Sequence, residues 1–239
     1  MTLAQLPPSF ASTRDALHQI AFFAVSPARY KAMGRMGLTA TPGGFGTPEF
    51  DGRVARVEGA LLVDSQNENV ATQTITTIRA AVEFFGNDYQ AEWFPDFHDP
   101  LAPADPDAPL DVDDASGRAI GEWFKFGVDV LNDLRTHGQE GDDVSEVQLW
   151  PEHFDPATEL GDFGQAQRAS FGASPGDALH PEPYLFVASW SDIDRSNSFW
   201  NEDAFNGGSL SYQEIIASSD PHSRAIEFLV DGYRVLHAE

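Results

Sequence analysis

The sequence predicts an α+β fold: two diverged, pseudo-symmetric copies of a strand-rich unit, each closed by a helix, with an additional helix in the connecting insert. Internal similarity is the first observation. Arg35-Met36-Gly37-Leu38-Thr39-Ala40-Thr41-Pro42-Gly43-Gly44 returns 133 positions later as Arg168-Ala169-Ser170-Phe171-Gly172-Ala173-Ser174-Pro175-Gly176-Asp177, and Pro48-Glu49 lands on Pro181-Glu182 at the same offset. Upstream, Ser26-Pro27-Ala28 matches Asp155-Pro156-Ala157; downstream, Ala81-Val82-Glu83-Phe84-Phe85 matches Ala225-Ile226-Glu227-Phe228-Leu229. The second observation is an unbroken helical stripe between the copies. Together they divide the chain into a first copy at 12–90, an acidic connection with a helix at 91–144, and a second copy at 145–239, sharing one core.

Each element follows from local chemistry. Ser12 with Asp15 resembles a capping box, and Leu17, Ile20, Ala21 and Ala24 form a helical stripe ending before Pro27. Ser26-Pro27 and Asp155-Pro156 each set a capping residue before a proline at the first helical position, with Gly34 and Gly161 as stops, so a short helix is expected in both copies. The Arg35 and Arg168 segments read as strands, followed by Pro-Gly turns. Val54 to Val63 and Tyr184 to Trp190 are apolar runs suited to strands. Ile75, Ile78, Val82 and Phe85 share one helix face; Ile226, Leu229, Tyr233 and Leu236 share another after Asp220-Pro221. In the insert, Ile120, Trp123, Phe124, Val128, Leu131 and Leu134 keep helical spacing up to Gly138. Asp96 to Asp114, with seven Asp and four Pro, reads as a surface connection.

Composition narrows the partners. The 239 residues carry 14 Lys plus Arg against 38 Asp plus Glu, a net charge of −24, which sets the chain against nucleic acid and anionic membranes. The absence of cysteine excludes disulfides and thiolate metal sites. Met1 to Phe10 has neither the basic nor the apolar region of a secretion signal, so a cytoplasmic location is expected.

Several motifs resolve into turns. Gly172-Ala173-Ser174-Pro175-Gly176 satisfies G-x-S-x-G, but Pro175 has no N–H for an oxyanion and no helix pattern follows. Gly43-Gly44-Phe45-Gly46 lacks the spacing of a phosphate loop, and the register from Asp111 lacks the glycine of a calcium loop. What distinguishes the second copy are Glu152, His153, Asp177 and His180, where the first has Phe23, Ala24, Gly44 and Thr47. Imidazoles and carboxylates on two segments are ligand types for Zn, Mn or Fe, or an acid–base pair. Ser198 to Gly208 is an insertion in which Trp200 either contacts a ligand or anchors the loop to the core.

Through Leu149-Trp150-Pro151-Glu152-His153-Phe154-Asp155, Gly172 to Asp177, His180-Pro181-Glu182-Pro183-Tyr184 and Gly37 to Gly46, the chain resembles uncharacterised actinobacterial proteins of similar length. The resemblance implies a bacterial cytoplasmic setting and carries no activity. Two functions are therefore expected in turn. The first is a non-catalytic binding or interaction protein, with a small ligand or protein partner in a cleft between related halves and Glu152, His153, Asp177, His180 and Trp200 as binding residues. The alternative is a metal-assisted hydrolase or related enzyme, with Glu152, His153, Asp177 and His180 as ligands.

Overall fold

A computed structural model describes residues 3–93, 101–102 and 104–238; part of the acidic connection lies outside them. The fold is α+β, with two antiparallel sheets. The chain divides into two compact units, one of Gln5–Phe124 and Leu149–Phe154, the other of Met1–Ala4, Lys125–Gln148 and Asp155–Glu239. Among the described residues no helix is long and apolar enough to cross a membrane.

The first unit opens with α1 (Phe10–Ile20), a π-helical turn (Ala21–Val25) and α2 (Ser26–Met33). Pro27 has no N–H to give Phe23, and the helix widens just before it, the Ser26 N–H reaching back to the Ala21 carbonyl. Five strands follow as a meander in spatial order: β1 (Thr39–Thr41), β2 (Gly44–Gly46), β3 (Arg53–Glu58), β4 (Leu61–Gln66) and β5 (Asn69–Thr74). Phe45, Ala55, Val57 and Leu62 are fully buried. α3 (Ile78–Phe84) is capped by Thr77, whose hydroxyl accepts from the Ala80 N–H. Part of the acidic connection is tied to it, with Arg79 making a two-pronged pair to Asp107 at 2.6 and 2.9 Å.

α4 (Asp114–Arg135) is the helix expected in the insert, and it is shared between the units at Phe124. In the first unit its backbone approaches the strands closely. A side chain on Gly121 would stand 2.3 Å from the Gly44 nitrogen, and one on Gly117 would stand 2.5 Å from the Gly59 carbonyl oxygen. Phe124 meets Phe45 and Phe154 edge-on, with centroids 6.1 and 5.0 Å away.

The second unit holds most of a six-stranded antiparallel sheet. β6 (Asp143–Val144), β7 (Gln148–Trp150, at the unit boundary), β8 (Asp155–Gly161), β9 (Ala169–Ser174), β10 (Tyr184–Ser189) and β11 (Gly207–Ser211) follow in sequence, and the main path is β11-β10-β9-β8-β6. Phe171, Ala173, Leu185, Val187 and Leu210 form its buried face. α5 (Tyr212–Ala217) starts at a complete capping box between Ser211 and Glu214. α6 (Pro221–Ala238) buries Ala225, Leu229, Tyr233 and Leu236. Gly232 lets it close on the sheet, since a side chain there would meet Val187 at 2.8 Å and Phe199 at 2.6 Å.

Four local expectations are corrected. Asp155-Pro156 begins strand β8 and no helix: the pairing with β9 opens one residue on, at Ala157 opposite Gly172, and a proline near the start of a strand is tolerated. The Arg35 segment is a loop up to Thr39. Val54 to Val63 is a hairpin, turned at Gly59 with φ 56°. α1 starts after Ser9, and Ser12 instead returns its hydroxyl to the Ser9 carbonyl.

Candidate functional site

Strand alternation puts Gly172, Ser174, Tyr184, Phe186 and Ser209 on the face of the second sheet opposite its apolar core, with Tyr184 opposite both Ser174 and Ser211. The Pro175–Pro183 loop folds back over these strand ends. Its turn is built by one side chain: Asp177 Oδ1 accepts from the Leu179 N–H at 2.7 Å and the His180 N–H at 2.8 Å, while the Asp177 N–H donates to the His180 carbonyl. Asp177 Oδ2 accepts from the Tyr184 hydroxyl at 2.8 Å. Burial pushes the Asp177 carboxyl up, but the His180 N–H, the Tyr184 hydroxyl and the Leu179 N–H outweigh it and hold the group below the usual range. The Tyr184 phenol is pushed above its ordinary value by burial first and by Asp177 second.

This turn delivers His180 between two carboxylates. Nδ1 stands 3.4 Å from Asp177 Oδ1, and Nε2 stands 3.3 Å from Glu202 Oε1. Nδ1 is buried and makes no hydrogen bond. The ring also lies 4.6 Å from that of Tyr184. Glu202 is 8% exposed and comes from the insertion before β11. Its carboxylate accepts from the Ser209 hydroxyl, and its carbonyl from Arg195. Beside it, the Asn201 side chain accepts from the Ser209 N–H at 2.8 Å and donates to the Ser209 carbonyl at 3.1 Å. Phe199 stacks on Phe228 and meets Trp200 edge-on, and Trp200 is buried, only 4% exposed.

Glu152 and His153 belong to the first unit, in the turn between β7 and β8. His153 is exposed. His18 of α1 closes this turn, its Nε2 lying 3.0 Å from the Pro151 carbonyl and 3.1 Å from that of Glu152. Burial drives His18 from its ordinary value of about 6.5 down to about 4, so the ring is neutral and donates. Burial also raises Glu152, whose Oε2 is buried without a hydrogen-bond partner.

The structure thus brings Asp177 and His180 together, and separately Glu152 and His153. Among the described residues no three His, Asp or Glu side chains are gathered so that they could hold a metal ion, so the Zn, Mn or Fe reading of Glu152, His153, Asp177 and His180 gains no cluster from the fold. Sequence reasoning missed His18, Tyr184 and Glu202. Tyr184 and Glu202 lie within the segments singled out, four residues after His180 and two after Trp200. His18 carried no signal beyond its place on an apolar helix. No family model, curated protein or solved structure matches this chain.

Proposed function

We propose that the chain is a non-catalytic binding protein that takes a small molecule rich in hydrogen-bond donors, an amine or a polyol, at the polar end of the second sheet. One observation carries the reading. A half-buried imidazole sits between two carboxylates at ion-pair distance, with one ring nitrogen unbonded, on a sheet face lined by Tyr184 and Phe186. Such a site has acceptors in excess and aromatic walls, which suits a donor-bearing ligand. With no three-ligand cluster among the described residues, binding is favoured over metal-assisted hydrolysis. The net charge of −24 fits a cytoplasmic protein without nucleic-acid partners. Thermal-shift titrations of the full chain with amines, polyols and carboxylates test it. Amines or polyols should raise Tm, and the rise should vanish in Glu202→Gln and Asp177→Asn. Silence from both classes, or binding that survives both substitutions, overturns it.

The two copies belong to the same proposal. Pro42-Gly43 and Pro175-Gly176 both follow the end of a strand, with φ 70° and 98° at the glycines, and the matched segments around Val82 and Ile226 both lie in helices. These correspondences support descent from one unit. The helix of Ser26 against the strand of Asp155 marks where the copies have parted.

A further inference from the structure

We propose that the first sheet carries a self-association site: two copies of this chain join through β5, strand antiparallel to strand, with Thr72 opposite Thr72 of the second copy. β5 is the last strand of its sheet, and its ladder to β4 runs without a break from Gln66 opposite Asn69 to Leu61 opposite Thr74. The two-residue Asn67-Glu68 turn closes one end of that ladder, and at the other the Ile75 N–H donates to the Ala60 carbonyl. Asn69, Ala71, Gln73 and Ile75 therefore turn their backbone groups to β4, and Val70, Thr72 and Thr74 turn theirs outward. Among the described residues these outward N–H and C=O groups have no partner. The open row stops at Thr76, whose carbonyl accepts from the Leu110 N–H. All of β5 except Gln73 is exposed, Val70 at 64%.

Charge and register select a second copy as the occupant. The chain carries 38 acidic and 14 basic residues, yet none lies between Asn69 and Thr74. Strands in this position usually hold a charge, a proline or a bulge that keeps other strands away, and β5 has none of them. A basic partner is drawn to the acidic surface and gains nothing from a neutral strand, whereas two acidic copies can approach closely only where both are neutral. A two-fold axis demands a patch that complements itself. With Thr72 on that axis, Val70 faces Thr74 of the second copy and every outward donor meets an acceptor. A slip of two residues leaves one of these pairs unmade. All three matched positions are β-branched, which favours cross-strand packing.

The test is sedimentation of the full chain over a concentration series, in salt high enough to screen repulsion between the acidic copies. A monomer–dimer equilibrium is expected, weak because the joined surface is small. Thr72→Pro should abolish the dimer and keep the fold, since the N–H it removes faces away from β4. Thr72→Lys, which sets like charges opposite each other on the axis, should also abolish it and decides the matter where the proline variant folds poorly. The chain has no cysteine, so single cysteines read the register. Thr72→Cys should oxidise to a covalent dimer, its two Cα atoms about 5.5 Å apart, whereas Val70→Cys, with its copies about 14 Å apart, should not. A chain that stays monomeric up to millimolar concentration, a dimer untouched by Thr72→Pro and Thr72→Lys, or equal trapping at both cysteines overturns the proposal.

Discussion

The imidazole of His18 lies flat on the ring of Phe154, with centroids 5.2 Å apart and planes 6° from parallel. Phe154 adopts φ 57°, a left-handed conformation uncommon outside glycine, and His18 holds its turn through two carbonyls. The unfolded chain protonates His18 below about pH 6.5 and the folded chain only near 4, so between these values the unfolded state binds more protons. The stability contribution is therefore complete above pH 6.5 and lost as pH falls through 4. His18→Gln should flatten the rise of unfolding free energy with pH across this window, to which His18 contributes about 3 kcal/mol; urea titrations at several pH values measure it.

Glu152 works in the opposite sense. Its folded pKa is raised by burial, so its penalty grows as pH rises through that value. Glu152→Gln should stabilise the fold at pH 7 and do little at pH 4. Denaturant titrations at both values check the sign, and equal effects at the two would contradict the burial argument.

The Tyr233 hydroxyl donates to Asp142 Oδ2 at 2.6 Å, and the Asp142 side chain is 4% exposed. Burial raises the Asp142 carboxyl, but Tyr233, the Gln139 N–H and His237 together bring it below the usual range. Tyr233→Phe removes a hydrogen bond to a buried charge and should cost about 1.5–3 kcal/mol. The same variant should lose stability at a higher pH on acid titration, as Asp142 protonates sooner.

Gly121→Ala separates propensity from packing. Helix propensity alone favours alanine by up to about 1 kcal/mol. Here the new carbon meets backbone, the Gly44 nitrogen at 2.3 Å and its Cα at 2.6 Å, neither of which can rotate away. A net loss of about 1–3 kcal/mol or more is expected from overpacking. Thermal or urea unfolding gives the sign directly.

Helices were the most legible part of the sequence because an apolar stripe records burial residue by residue. Ile120 to Leu134 and Ile226 to Leu236 both fall inside the observed helices α4 and α6. Asp155-Pro156 reads as a helix start because a proline at the head of a helix and one at the head of a strand look alike locally; pairing with β9, the next strand along the chain, decides between them. Gly59 was hidden in an apolar run, although it turns the hairpin of β3 and β4. At the candidate site, Asp177 and His180 were visible as a pair in one segment. Glu202 was not, since its place beside His180 depends on the Asn201 and Ser209 contacts that dock the insertion.

Those last contacts bear on how the molecule behaves in a crowded solution. β11 borders its sheet, and such a strand is a ready template for strands of other chains. Here its outward groups are already engaged: the Gly207 carbonyl by the Glu202 N–H, the Ser209 N–H and carbonyl by the Asn201 amide, and the Ser211 N–H by Glu214. A side-chain amide, standing in for a neighbouring strand, closes the border to fibril growth and strand exchange while leaving the chain free to turn away into its loop.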